Sequence, residues 1–138
     1  MDESSWPTPA HFEQAYPLQA HLGFEMRVWD ADQVVIQQPI VPHIGNRYGI
    51  PHGGVYGVLL DTAMGYAGCY TGDPKRKLLA MTLSMTVNFV AQPAGELLLA
   101  SARKRGGGRR TFFADGEVRD DLGTLVATGS GAFRYRSA

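Results

Sequence analysis

Asp61 stands in the middle of a stretch, Gly53 to Tyr70, that contains no lysine, arginine or glutamate. Wound as a helix at ~100° per residue, the stretch gathers Val55, Tyr56, Leu59, Leu60, Ala63, Tyr66 and Ala67 on one broad apolar arc. The opposite arc carries Gly54, Gly57, Gly65 and Gly68 around Asp61, where a solvated face would carry many charges. Each interior glycine costs a helix about 1 kcal/mol relative to alanine, so such a stripe predicts that another backbone or a ligand approaches closely. Asp61 is then expected to be buried or half-buried at an interface. A carboxylate in a confined, largely apolar setting is a stronger base than one in water, suited to activating water or attacking a carbonyl. The alternative is that the glycines serve close packing and Asp61 makes only a local hydrogen bond.

His52-Gly53-Gly54 supplies the complementary chemistry at the start of the same helix. The first backbone N–H groups of a helix have no partner inside it and lie at the positive end of its dipole. Two successive glycines leave those donors unscreened, so a carbonyl oxygen could be held there as its charge develops. Geometry adds a condition. Asp61 lies nine residues beyond His52, about 13.5 Å along the axis and about 180° around it. One small reacting group cannot reach both from a single copy, so a reaction that uses both needs two copies with helices antiparallel across a two-fold axis.

The elements that must position these groups follow from patterning. The 138 residues suffice for one domain and are too few for separate cofactor and substrate domains. Thirteen Lys and Arg balance thirteen Asp and Glu, and 44% of residues are apolar; this fits neither a disordered chain nor one that coats nucleic acid. Cys69 is the only cysteine, so no internal disulfide is available, and it is expected to be a packed small residue rather than a metal ligand. No metal or other cofactor is expected. Residues 1 to 22 read as an N-terminal arm, with Pro7, Pro9 and Pro17 around a helix-capable piece, Ala10 to Ala15; residues 23 to 138 form the domain. The acidic start lacks a signal-peptide pattern, and the longest apolar run, Val55 to Ala67, is too short and interrupted to span a membrane. The expected setting is the cytoplasm.

Phe24 to Val28 and Val34 to Val41 read as a hairpin, and Pro42 to Pro51 as an irregular loop. Met81, Leu83, Met85, Val87 and Phe89 alternate with Thr82, Ser84, Thr86 and Asn88, predicting a strand with one core and one polar face. Glu96–Arg103, Arg110–Arg119 and Thr124–Tyr135 complete an expected four-stranded meander, turning at Gly106–Gly108 and Asp120–Gly123. The expected fold class is α+β, a curved antiparallel sheet of about six strands around one long central helix.

Asn46-x5-His52-Gly53-Gly54-x6-Asp61, the Thr82-x-Ser-x-Thr-x-Asn-Phe strand and Pro93-Ala94-Gly95 together resemble the hotdog-fold acyl-CoA thioesterases, in particular the PaaI-like group. The resemblance runs from about Gly23 to Tyr135. It implies the hotdog fold, subunits paired into a continuous sheet, and pairs often joined into tetramers as dimers of dimers. It implies Asp61 as general base or nucleophile and Gly53 as the amide that polarises the thioester carbonyl from the partner subunit. Asn46 and His52 match residues that orient water or substrate, and Thr82 one that positions the water. The link Ala91-Gln92-Pro93 is one residue longer than usual. The residues also admit plainer readings: His52 holding its loop, Asn46 forming a turn, Thr82 sitting on a polar sheet face.

Arg103, Lys104, Arg105, Arg109 and Arg110 crowd one hairpin and could grip the phosphates of a coenzyme A thioester. No glycine-lysine-serine or threonine run follows them, so this is no Walker loop, and a solvated hairpin tip is the alternative. Gly54 is a further candidate contact to substrate, and Tyr48, Tyr56, Tyr66 and Phe89 are candidate pocket walls. The expected partners are an acyl- or aryl-CoA and further copies of the chain, without nucleic acid or membrane. Two rival readings are a non-catalytic acyl-CoA-binding module and a hotdog hydratase or dehydratase. The second is disfavoured because the chain lacks a His-Phe-Pro-Gly segment.

Overall fold

A computed structural model describes residues 13–136. Helix α1 (Pro17–Leu22) opens with Pro17 in its first turn and closes on Gly23, whose φ of 91° needs a residue without a side chain. Two strands follow, β1 (Glu25–Trp29) and β2 (Val34–Pro39), then a single 3-10 turn at Pro42–Ile44, helix α2 (Gly53–Ala67) and strands β3 (Ala80–Phe89), β4 (Leu97–Gly107), β5 (Thr111–Asp120) and β6 (Leu125–Tyr135). All form one antiparallel sheet in the order β1-β2-β4-β5-β6-β3. The predicted α+β class, one sheet packed on one long helix, is the observed one.

Three details differ from the sequence reading. No helix forms at 13–15, and the short helix begins instead at Pro17, whose fixed φ suits a first turn; Ala10 to Phe12 lie outside the described residues. Helix α2 stops at Ala67 rather than Tyr70. At its end Trp29 Nε1 donates to the Tyr66 carbonyl at 3.0 Å, and the Tyr135 hydroxyl donates to the carbonyl of the C-cap residue Gly68 at 2.6 Å. The meander, finally, contains only β4, β5 and β6, because β3 pairs with β6 at the sheet edge. The link from β3 to β4 is pinned across the ends of its neighbours. Val90 and Ala91 donate to the Val126 carbonyl, Ala94 and Gly95 to the Asp120 carboxylate, and Glu96 and Leu97 to Asp121.

The core lies between α2 and the sheet face it covers. Leu59, Leu60 and Met64 from the helix meet Leu98, Phe112, Val118, Val126 and Phe133 from the strands, all fully buried. Phe112 and Phe133 stack with ring centres 4.9 Å apart. Gly116 and Gly129 let the helix approach, since a Cβ at either would lie 3.1 Å from the Leu60 methyls. The helix face with Gly57 and Asp61 is only half-buried. No described helix is long and apolar enough to cross a membrane.

Candidate active site

Asp61 sits on the half-covered face of α2 between Gly57 and Gly65, one turn away on either side. Nothing lies within 4 Å of where a Gly57 Cβ would be, and only the Phe133 ring, at 3.8 Å, approaches the corresponding point at Gly65. The glycines therefore leave a groove beside the carboxylate instead of tightening a contact within the protomer. The Thr82 hydroxyl donates to Asp61 Oδ1 at 2.5 Å.

That bond depends on a β-bulge. Strict alternation would put Thr82 with Ser84, Thr86 and Asn88 on the polar face, but the pairing with β6 slips between Thr82 and Ser84, leaving Leu83 as the additional residue. Thr82 is thereby brought into phase with Met85, Val87 and Phe89, opposite Phe133 and on the side that faces the helix. The plain reading of Thr82 as one of four equivalent sheet-face residues is corrected accordingly. Met81 and Leu83, expected in the core, are more than half exposed along this edge.

A cleft of about 240 Å³ opens beside Asp61 and Thr82. One wall is α2, including Thr62, Gly65 and Tyr66, and a second is the start of β3 with Phe133. The third comes from the chain before α1, which the sequence reading left without a role. The Tyr16 hydroxyl is 2.9 Å from the Thr62 hydroxyl, and Glu13 Oε2 accepts from the Tyr66 hydroxyl at 2.9 Å. Burial raises the Tyr16 phenol above its ordinary value, the Thr62 bond works against this, and the nearby Asp61 charge adds to it. Cys69 also borders the cleft, but burial and then the Glu13 charge push its thiol up to about 11, as befits a packed, unreactive group.

The opposite end of the helix holds the other predicted residues. His52 is the N-cap, its Nδ1 accepting from the Gly54 N–H at 2.8 Å, which puts the ring proton on Nε2. The glycine pair predicts two unscreened amides; that of Gly54 is engaged, while that of Gly53 has no acceptor among the described residues. The Phe89 ring closes over Gly53, where a Cβ would lie 3.1 Å from it. Asn46 acts as a loop former: its Oδ1 accepts from the Tyr48 and Ile50 N–H groups at 2.8 and 3.4 Å. Tyr48 is left 77% exposed, and Tyr56 belongs to the core. Gly53 and Asp61 are eight residues apart on one rigid helix, about 12 Å along its axis, so the protomer does not bring them together.

The basic hairpin is divided. Arg105 pairs with Asp115 at 3.4 Å, with Arg103 beside it on the outer sheet face, while Lys104 turns inward to the Tyr135 hydroxyl at 3.5 Å. Arg109 and Arg110, at the tip, have no ion-pair partner among the described residues. Among those residues no cluster of three or more His, Cys, Asp or Glu side chains could hold a metal ion.

A family model for the thioesterase superfamily matches residues 48–127, a span that includes the helix, the bulged strand and most of the meander. The chain belongs to the thioesterase superfamily. Its fold is the hotdog fold of the solved thioesterases it resembles. A conserved protein from Pseudomonas aeruginosa superposes on this superfamily member with a TM-score of 0.82 at 26% identity, covering 93% of this chain and 100% of its own. The PaaI protein of the E. coli phenylacetic acid degradation operon gives 0.77 at 25% identity, over 88% of this chain and 85% of its own. A Bacillus halodurans protein solved with CoA gives 0.78 at 28% identity, over 90% and 81%. No curated protein matches the sequence significantly.

Proposed function

We propose that this thioesterase hydrolyses an acyl- or aryl-CoA to the free acid and CoA at a site shared across a homodimer. The observation that carries the reading is the Asp61–Thr82 pair at the mouth of the cleft, with the open Gly53 amide too far along the same helix to join it. Two further features support a second copy: the uncovered α2 stripe, and the free edge of β3, where Leu79, Met81 and Leu83 are exposed. Antiparallel helices across a two-fold axis would bring the partner subunit's Gly53 to Asp61. Pairs would then assemble as dimers of dimers. The solved relative with CoA supports the substrate class, and a CoA substrate fits the expected cytoplasmic setting.

In this mechanism Asp61 takes a proton from water as the water oxygen bonds to the thioester carbon. The carbonyl electron pair moves onto oxygen, where the partner subunit's Gly53 N–H stabilises it. Thr82 fixes the carboxylate, and His52 holds the amide-bearing turn. Collapse of the tetrahedral intermediate breaks the C–S bond, and the CoA thiolate leaves and takes up the proton. In the nucleophilic variant an Asp61 oxygen attacks directly, expels the thiolate and forms a mixed anhydride that water hydrolyses. Arg109 and Arg110 are assigned to the CoA phosphates, and Gly54, Tyr48, Asn46 and Phe89 to the substrate-side lining at the partner helix.

Asp61→Asn should lower kcat for acyl-CoA hydrolysis by about a thousandfold or more, the scale expected for losing a base or nucleophile, while the dimer persists in sedimentation. Near-wild-type turnover by that variant removes Asp61 from the chemistry. A wild-type protein that binds acyl-CoAs without releasing thiol is instead a binding module. Single turnover in isotopically labelled water separates the two variants, since only the anhydride route can leave label in Asp61.

A further inference from the structure

We propose that the segment Glu13–Tyr16 builds the acyl-side wall of the cleft and limits how long an acyl group the protein accepts, Tyr16 and Gly65 being the residues that set its depth. The inference rests on the reading of the cleft as an acyl-CoA site and adds to it the segment that bounds the acyl group.

A thioester carbon held beside Asp61 must send its acyl chain along the open groove, and Gly65 is the next residue on that face, about 6 Å farther along the axis. A Cβ there would meet only the Phe133 ring, at 3.8 Å, on the cleft side of the helix. Tyr16 stands across this path. Its ring packs edge-on against Phe24 with centres 6.0 Å apart, and its hydroxyl bonds to Thr62, the neighbour of Asp61. The wall is tied down at its start by Glu13, whose carboxylate bridges the Tyr66 hydroxyl on α2 and Lys77 Nζ, 2.9 and 3.5 Å away. Held in this way, the Tyr16 ring is the group that a long alkyl chain meets in the groove. A short acyl group or a single ring ends before it. The wall lies outside the residues 48–127 that the family model matches.

The test compares wild type, Tyr16→Ala, Tyr16→Phe and Gly65→Val, each shown folded by its melting curve. Two readouts are taken: kcat/KM for butyryl- and dodecanoyl-CoA, and affinity for the uncleavable thioethers S-butyl-CoA and S-dodecyl-CoA. Tyr16→Ala should raise the long-to-short ratio about tenfold or more, Gly65→Val should lower it by a similar factor, and Tyr16→Phe, which keeps the ring, should stay near wild type. Ratios within about twofold of wild type for both Tyr16→Ala and Gly65→Val overturn the proposal, as does a Tyr16→Phe ratio that follows the alanine variant. Thioether ratios that shift as stated without any thioester cleavage uphold the wall and refute the hydrolase reading, so the two fail separately.

Discussion

Asp61, His52 and Gly53 were legible as candidates from residue type and spacing alone, because a helix wheel needs only the sequence. Thr82 was a candidate only through the family resemblance, since alternation marks a face correctly only where the ladder is regular, and the slip opposite Phe133 and Ala132 is decided by pairing with β6. Tyr16 and Glu13 were still less accessible, as they reach partners on α2 forty-six and fifty-three residues away. At this scale Thr82→Val should reduce kcat about tenfold or more with little change in the melting curve, and Thr82→Ser, which keeps the donor, should retain most activity. Steady-state kinetics on the two variants checks this. His52→Ala removes the N-cap acceptor and should cost about 1 kcal/mol of stability, read by denaturant unfolding, together with a fall in kcat as the Gly53 turn loosens.

The elements themselves, one long helix after an irregular loop and strands on either side, followed from periodicity. Their neighbours did not, because a period of two says which way a side chain faces and not which edge its strand will join. The turn at Asp120 illustrates what was missed: it read as a hairpin connection and is also the clamp that carries the β3–β4 link across the sheet. Asp120 is 2% exposed, and burial works against its charge. Backbone donors from Ala94, Thr124 and Gly95 outweigh that and hold its carboxyl at about 2, against an ordinary 3.8. A carboxyl lowered in the folded state contributes stability that is present above the ordinary value and is lost as pH falls toward the lowered one. The protein should therefore lose stability between about pH 4 and pH 2, and Asp120→Asn should cost about 2 kcal/mol at neutral pH and flatten that acid limb. Urea unfolding across the pH range measures both. For the β4–β5 tip, Arg109→Ala with Arg110→Ala should raise KM for an acyl-CoA several-fold and leave that for the matching acyl-pantetheine, which lacks the nucleotide, unaltered.

At the scale of the molecule, a sheet that ends on an exposed, partly apolar strand is open to further pairing. Leu83 is 57% exposed on that strand. Leu83→Glu should place like charges across a β3–β3 junction, giving monomers in sedimentation with a native circular dichroism spectrum and no hydrolysis. Activity in a monomeric variant would contradict the shared site. That Gly53 and Asp61 stand apart on one helix was foreseeable from arithmetic, whereas the free edge became visible only once β3 was known to lie outermost.

The same leucine has another consequence. Because it is the surplus member of its ladder, losing it altogether would leave Thr82 still opposite Phe133 and Ser84 still opposite Ala132. An in-frame removal of one codon from the middle of a strand ordinarily turns every side chain beyond it inside out. Here the hydroxyl and the carboxylate would keep their appointment within the chain, while the outer edge offered to a second copy would be one residue shorter.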